Sequence, residues 1–261
     1  MQPEIVLATL AVVPPLVVAL VLVRRGPGDE RAWLAGAVAF TWSAAVATTI
    51  AELANDTVGA HVGTVLGSEG ARRTMSVLVG PLVEEVAKAT AFAAVAFVRP
   101  RALDGVWNAV AIGVLAGLGF TAAENVVYYT LAAVQGGWVA VGRALWIRGV
   151  VQLPIHALFG AVVGVAVGWV RRPHHPRGIL AAGLVAAVLL HAVWNGLLSA
   201  LVTDVLCNAP TAGAACGAAP DTSDLLVRVP ALVLAFVVPA GIALAWAARQ
   251  LDAETGRGVR R

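Results

Sequence analysis

Ionisable side chains are scarce in the long apolar stretches of this sequence, and those that occur there are of types that activate water. Six of them follow one another over four such stretches: Glu84, Glu85, Lys88, Glu124, His156 and His191. A carboxylate removed from water is a stronger general base, and imidazole or Asn N–H groups can stabilise an oxyanion. Glu and His can also hold Zn²⁺ and leave one position open for water. The residue types therefore predict hydrolysis by water that either a glutamate or a metal activates.

Helical spacing indicates how some of these groups meet. Glu84 and Glu85 stand four and three residues before Lys88, so one ammonium group can partly neutralise the pair, and we assign Lys88 this structural role. Adjacent residues point about 100° apart around a helix, so one glutamate can face the site while the other anchors it. His191 and Asn195 share a helical face, which makes Asn195 a candidate for contact with the oxyanion.

The elements that must position these residues are membrane-spanning helices. Hydrophobic residues make up 59% of the 261 residues and charged residues 13%, against about 45–50% and 25% in soluble domains. This composition excludes an ordinary soluble protein, and the dispersed Arg residues do not form the basic face of a nucleic-acid-binding protein. We expect one all-α, polytopic domain over 1–261 with about seven spans, because seven segments contain the roughly 20 apolar residues that cross a bilayer. The predicted spans are 5–23, 32–51, 75–98, 106–134, 149–170, 179–202 and 225–248.

The distribution of Arg between the connections predicts the orientation of these spans. One set of alternate connections holds twelve Arg residues and the other holds four, and the richer set is expected to be cytoplasmic. The N-terminus of this multi-pass cell-membrane protein is then outside, and the tail 249–261 is in the cytoplasm. The loop 203–224 lies outside, where a disulfide between Cys207 and Cys216 is chemically permitted, with two free thiols as the alternative.

This orientation places the polar residues of four antiparallel helices at similar depth. Glu84 and Glu85 are expected just outside mid-membrane, His191 near the middle, and the others in the outer half: Glu124, His156 and Asn195. A charge at mid-bilayer costs about 2.5–3.5 kcal/mol on insertion scales, so such residues usually face the bundle interior and mark function. A similar depth is not expected of unrelated polar residues, and it favours one shared site.

Other polar and small residues are assigned to packing or to solvent. Asn125 is interpreted as a hydrogen-bond partner between helices, and His61, His174 and His175 as solvated residues of polar connections. Glycines that repeat every four residues predict close approach of helices. They are Gly113, Gly117, Gly160, Gly164 and Gly168.

Four motifs follow one another along residues 84–195, whereas other hydrolase signatures are missing: there is no His-Glu-x-x-His, no Gly-x-Ser-x-Gly and no Asp inside a predicted span. The motifs are Glu84-Glu85-Val86-Ala87-Lys88, Gly119-Phe120-Thr121-Ala122-Ala123-Glu124-Asn125, His156 with Gly164, and His191-Ala192-Val193-Trp194-Asn195. Together they resemble the PrsW family of intramembrane proteases, which is related to the CAAX prenyl-protein endopeptidases and to bacterial Abi proteins.

The resemblance implies an Abi-type helical core and endoproteolysis of single-span membrane proteins, such as anti-sigma factors, on the extracytoplasmic side. The family's motif positions for catalytic side chains fall on Glu84, Glu85, His156, His191, Glu124 and Asn195. If a metal is used, Zn²⁺ is the expected ion, and the implied ligands are His156, His191, Glu85 and Glu124. The CAAX relatives commonly have His at the position of Glu124, so the identity of the base and the use of a metal stay open. A bacterial origin agrees with the family and with the Arg-rich, Lys-poor composition.

Other functions are compatible with the same residues. A proton-coupled transporter can use buried Glu, Lys and His as a relay, although the sequence lacks the inverted repeats that many transporters have. Bis-imidazole binding of haem by His156 and His191 leaves the glutamates unexplained. A non-catalytic binding protein of Abi type would keep the fold and tolerate loss of Glu84.

Overall fold

The computed structural model describes residues 2–25, 30–172, 175, 177–207 and 223–258, and it describes them as helices and short connections without a strand. The eight α-helices are α1 (Pro3–Arg25), α2 (Glu30–Trp42), α3 (Thr48–Thr74), α4 (Gly80–Val98), α5 (Val106–Ala144), α6 (Leu153–Val170), α7 (Ile179–Cys207) and α8 (Ser223–Gly258). The expected all-α class is confirmed for this part of the chain. The predicted tail 249–261 begins as a continuation of α8.

Five helical stretches in the described residues are long and apolar enough to cross a membrane, which supports a multi-pass membrane protein. They are Pro3–Arg24, Trp33–Val98, Val106–Val170, Ile179–Leu201 and Val227–Leu251. Two of them contain 66 and 65 residues, or about 100 Å each at 1.5 Å per residue. That length is about three times the thickness of the hydrocarbon core, so neither stretch can be one straight span.

Each of these two long stretches folds back on itself at a single glycine. Gly67 and Gly137 have φ angles of 71° and 62°, in the left-handed region that glycine adopts at little cost. On either side of Gly67, Gly63 packs beside Ala71, and Gly59 lies beside Met75, as antiparallel arms require. The predicted connections 52–74 and 135–148 are therefore mostly helical, because only the one glycine at each tip leaves the helical conformation.

Three π-helical segments interrupt the long stretches: Ser43–Ala47, Met75–Val79 and Leu145–Val151. The last two stand directly before α4 and α6, which have Pro81 and Pro154 in their first turns. Proline has no N–H to donate to the preceding turn, so the hydrogen-bond register changes immediately before it. Such π segments are often found at functional sites, and here they precede the helices that carry Glu84 and His156.

Helices α5 and α6 pack backbone against backbone along the predicted glycine stripes. Added Cβ atoms at Gly113 and Gly160 would overlap each other's backbone, and one at Gly117 would overlap the carbonyl group of His156. Gly164 meets Ala109 in the same way. This close approach, which we call the glycine seam, fixes α6 against α5 and confirms the packing role predicted for these glycines. The side chains of Cys207 and Cys216 lie outside the described residues, so their pairing stays a prediction.

Candidate active site

Residues from α4, α5, α6 and α7 meet in one network of buried polar groups. Lys88 Nζ lies 2.5 Å from Glu85 Oε1 and 2.9 Å from His156 Nδ1, and His191 Nδ1 lies 2.8 Å from the same Glu85 oxygen. All four residues are at most 8% exposed. The structure thus brings together the acidic and imidazole residues that the sequence placed on separate helices.

The two neighbouring glutamates have different surroundings. Glu85 is fully buried, and its Oε1 accepts hydrogen bonds from Lys88 and His191. Glu84 lines a cavity, and its Oε2 has no hydrogen-bond partner. That oxygen lies 3.8 Å from His191 Nε2. This division follows from the roughly 100° between adjacent helical side chains.

Hydrogen-bond chemistry assigns the ring protons of both histidines. Glu85 can only accept as a carboxylate, so His191 donates from Nδ1 and keeps a lone pair on Nε2, the nitrogen nearer Glu84. An ammonium group only donates, so His156 accepts from Lys88 at Nδ1 and carries its hydrogen on Nε2. That Nε2 lies 2.9 Å from Glu124 Oε2, which accepts the hydrogen bond.

Arg148 belongs to this network, although it was predicted to lie in the connection 135–148. Its Nη2 donates to Glu124 Oε2 over 2.7 Å, and its Nε donates to Asn125 Oδ1 over 3.3 Å. The guanidinium carbon lies 3.5 Å from the centre of the Tyr128 ring. A signal for this role was present, because Arg148 precedes Gln152 and His156 by four and eight residues, the spacing of one helical face.

The network borders a cavity of about 460 Å³. Its polar lining comes from all the predicted site residues except Glu85, together with further residues that the sequence did not single out. The latter include Asn55, Asp56, Arg72, Ser76, Tyr128, Arg148 and Gln152. Asn195 also lines the cavity, and its Nδ2 donates to the backbone oxygen of Ser76 over 2.8 Å.

Three side chains are close enough to share a metal ion. Glu84, His156 and His191 each offer a ligand atom, and these atoms lie within 4.8 Å of one another. The ligand set implied by the resemblance contained Glu85 and Glu124 in place of Glu84. Glu85 Oε1 instead accepts hydrogen bonds from Lys88 and from Nδ1 of His191, so it orients the His191 ring through the nitrogen that does not face Glu84.

The remaining histidines lie apart from this network wherever the structure describes them. His61 is exposed on α3, and His175 is exposed beside the backbone oxygen of Arg172. His174 lies outside the described residues. The interpretation of His61 and His175 as surface residues agrees with their exposure.

A comparison with known families gives a match over residues 30–214 to the model described as PrsW family intramembrane metalloprotease. These residues include all the polar groups of the network. No curated protein and no solved structure matches the chain. The match gives no support to the transporter alternative.

Proposed function

Because the chain belongs to the PrsW family of intramembrane metalloproteases, we propose that it cuts single-span membrane proteins in the cavity beside Glu84. It is a membrane protease, so its substrates are membrane proteins. The residue roles and the substrate class are what we propose here in addition. The observation that carries the proposal is the position of Glu84. Glu84 lines a polar cavity, one of its carboxylate oxygens has no hydrogen-bond partner, and it offers a carboxylate oxygen within 4.8 Å of ligand atoms on two histidines.

Glu84 is the proposed general base. Its carboxylate takes a proton from water, and the water oxygen bonds to the carbonyl carbon of the scissile peptide while the C=O π pair moves to the carbonyl oxygen. When this tetrahedral intermediate collapses, the C–N bond breaks, and the proton held by Glu84 passes to the amine nitrogen that leaves. The side chain is 15% exposed, which keeps the reacting groups apart from bulk solvent.

Glu85 and Lys88 are proposed to orient the two histidines. The Glu85 carboxylate fixes the His191 ring so that its Nε2 lone pair is directed to the Glu84 side, as carboxylates do behind many functional imidazoles. Lys88 neutralises Glu85 and fixes the His156 ring through Nδ1. Phe159 stacks on His191 with ring centres 4.7 Å apart and restricts its rotation.

Glu124 and Asn195 are proposed to act at the cavity wall. Glu124 accepts from His156 Nε2 and from Arg148, and it thereby holds the imidazole beside the base. Asn195 uses its amide group to hold the π segment Met75–Val79 against α7. One of its two amide hydrogens bonds to Ser76, and the second is a candidate for contact with the substrate.

The donor set fits a metal ion of the kind that the family description implies. Glu84, His156 and His191 would hold it, because a carboxylate with two imidazoles is a ligand set that Zn²⁺ accepts in hydrolases. The free Glu84 oxygen and the Nε2 lone pair of His191 are available for this purpose. His156 would offer Nε2 only in its other tautomer, in which the Nε2 proton passes to Glu124 and Nδ1 takes a proton from Lys88. A bound ion would lower the pKa of water and polarise the substrate carbonyl.

Several features support seven passes around an Abi-type core in a single domain over 1–261. The helical hairpins at Gly67 and Gly137 each supply two passes, and α1, α7 and α8 supply the other three. The connections on the Arg-poor side hold four Arg, two of which, Arg72 and Arg148, line the cavity, against twelve on the other side. We therefore propose that the N-terminus is outside, the C-terminus is cytoplasmic, and the cut is extracytoplasmic, as for anti-sigma-factor-like substrates.

The test is cleavage by purified protein in lipid vesicles that also contain solubilised membrane proteins of the expression host. Mass spectrometry of new peptide N-termini should find sites next to single apolar spans with the wild-type protein and none with Glu84→Gln. Glu4→Gln, a change at an exposed glutamate on α1, is the matched control and should cut like wild type. Equal cleavage by Glu84→Gln at normal abundance would contradict the proposed base.

Metal content tests the proposed ligands independently of cleavage. Elemental analysis of purified protein should find about one zinc per chain in the wild type and a loss of zinc in His191→Ala. A chelator should remove both the metal and the cleavage, and added Zn²⁺ should restore both. Full cleavage by metal-free protein would instead assign water activation to Glu84 alone.

A further inference from the structure

Three asparagines line the cavity, and the amide groups of two of them, Asn125 and Asn195, differ in what they bond. Asn195 Nδ2 donates to the backbone oxygen of Ser76, as described above. Asn125 is fully buried, yet its Nδ2 has no hydrogen-bond partner. A buried amide donor is almost always paired in a folded protein, so a free one in a cavity wall points to a ligand that supplies the acceptor.

The orientation of the Asn125 amide group is fixed by its neighbours. Arg148 Nε carries a hydrogen and can only donate, so the Asn125 atom that faces it must be the oxygen Oδ1. A rotation that exchanged Oδ1 and Nδ2 would place two donors against each other. Arg148 is itself held by its bond to Glu124 and by the face of the Tyr128 ring. The Nδ2 group of Asn125 is therefore kept as the free end of the amide.

The unpartnered group can take only an acceptor, because an amide NH₂ offers two hydrogens and no lone pair for bonding. Asn125 follows Glu124, whose carboxylate contacts His156, and His156 is grouped with Glu84 and His191. Asn125 and the proposed base Glu84 thus line the same cavity. A peptide that fills this cavity lies beside both residues.

We propose that Asn125 Nδ2 donates a hydrogen bond to the carbonyl oxygen of the scissile peptide and stabilises the oxyanion formed when water adds. The assignment rests on the proposed proteolysis and adds a catalytic residue to it, in a position that the sequence analysis had interpreted as structural. As the C=O π pair moves to oxygen, the charge grows next to a donor that is already oriented. Such a donor stabilises the transition state more than the bound substrate.

Two substitutions separate this role from support of Arg148. Asn125→Asp keeps an oxygen for Arg148 and removes the free donor, whereas Asn125→Ala removes both. If Nδ2 contacts the oxyanion, both variants should lose about 10²–10³-fold in kcat with little change in KM, the effect typical of one lost oxyanion donor. If Asn125 serves only to hold Arg148, the Asp variant should cut like wild type and the Ala variant should not.

The assay uses a purified single-span reporter that carries a cleavage sequence found by the N-terminus profiling above, reconstituted with each variant in lipid vesicles. Asn108→Asp is the matched control, because Asn108 lies on the same helix, is exposed, and bonds only the backbone oxygen of Asp104. Thermal unfolding in detergent checks that each variant is folded. If the Ala variant does not fold, the nearly isosteric Asp variant decides alone.

The outcomes distinguish the assignment from the proposed function. Wild-type kcat in Asn125→Asp, or a change in KM alone, overturns the oxyanion role while proteolysis stands. Absence of cleavage by the wild-type protein removes the proposed function and with it the basis of the assignment. A loss of about 10²–10³-fold in kcat for both variants, with normal folding and a normal Asn108→Asp control, supports it.

Discussion

The α5–α6 pair is built in two different ways along its length. In the half that contains the glycine seam, the two backbones touch, and no side chain fits between them. In the half nearer Gly137, which we call the polar half, side chains of Glu124 and Asn125 on α5 meet those of His156 on α6 and of Arg148 in the π segment before it. The first half is tightly packed, and the second borders a cavity of about 460 Å³.

The difference shows how a helix pair can be rigid and still hold a cavity. Small residues let the backbones approach until van der Waals contact fixes their distance and angle. Because the helices are rigid, this contact also fixes the distance between them in the polar half. The larger side chains there fill the space between the helices only in part. His156 stands at the boundary, because its backbone packs on Gly117 while its ring reaches the polar network.

The largest effect is expected at the buried ion pair of the polar network. Lys88→Met should destabilise the protein by about 3–5 kcal/mol, because it leaves the Glu85 carboxylate buried without its cation. The double variant Glu85→Gln with Lys88→Met should regain most of this loss, since neither charge then remains. Denaturation in detergent by increasing sodium dodecyl sulfate measures both. Equal destabilisation of the single and double variants would show that the side chains matter for packing and not for charge.

The glycine seam should be the next most sensitive region. Gly160→Ala places a Cβ against the backbone oxygen of Gly113, where no side chain can yield, and should cost about 1–3 kcal/mol of stability. Gly142→Ala on α5 is the matched control, because nothing lies within 4 Å of its added Cβ. The midpoint of thermal unfolding in detergent compares them. If both variants unfold at the wild-type temperature, the seam does not fix the helix spacing.

Arg148 tests whether the polar half depends on one orienting cation. Arg148→Gln removes the charged hydrogen bond to Glu124 and should lower cleavage about 10-fold, since charged hydrogen bonds contribute about 1.5–3 kcal/mol and this one is partly exposed. Arg143→Gln, at an exposed position on α5, is the control and should cleave normally. Rates are measured on the single-span reporter. Unchanged cleavage by Arg148→Gln would show that Glu124 and His156 hold their positions unaided.

The smallest effect is expected where α7 meets the π segment Met75–Val79. Asn195→Ala removes the hydrogen bond to the backbone oxygen of Ser76 and should cost about 0.5–1.5 kcal/mol of stability, the usual net contribution of one neutral bond. Ser199→Ala, one helical turn further along α7, is the control. The two variants are compared by thermal unfolding in detergent. A cost above that of Gly160→Ala would place the rigid part of the molecule at α7 instead of at the seam.

Much of the fold could be predicted because it follows from local chemistry. Long apolar runs must be helical in a bilayer, where every backbone N–H and C=O group needs a partner within its own segment. The helical class, the positions of the apolar stretches and the close packing of the glycines were all predicted this way. The reversals at Gly67 and Gly137 were not located, because a glycine inside a helix-forming sequence gives the same local pattern whether the chain turns there or continues.

The sequence by itself determined that the chain forms long apolar helices and which ionisable residue types lie within them, because hydrophobicity depends on each segment alone. It also determined that Glu84 and Glu85 point in different directions. The tertiary structure decided that Glu84 and not Glu85 faces the cavity, that Arg148 joins Glu124, and that the Asn125 amide keeps a free donor. These three features depend on how each helix is rotated about its own axis relative to its neighbours. Helical spacing along the sequence does not fix that rotation, whereas packing between the helices does.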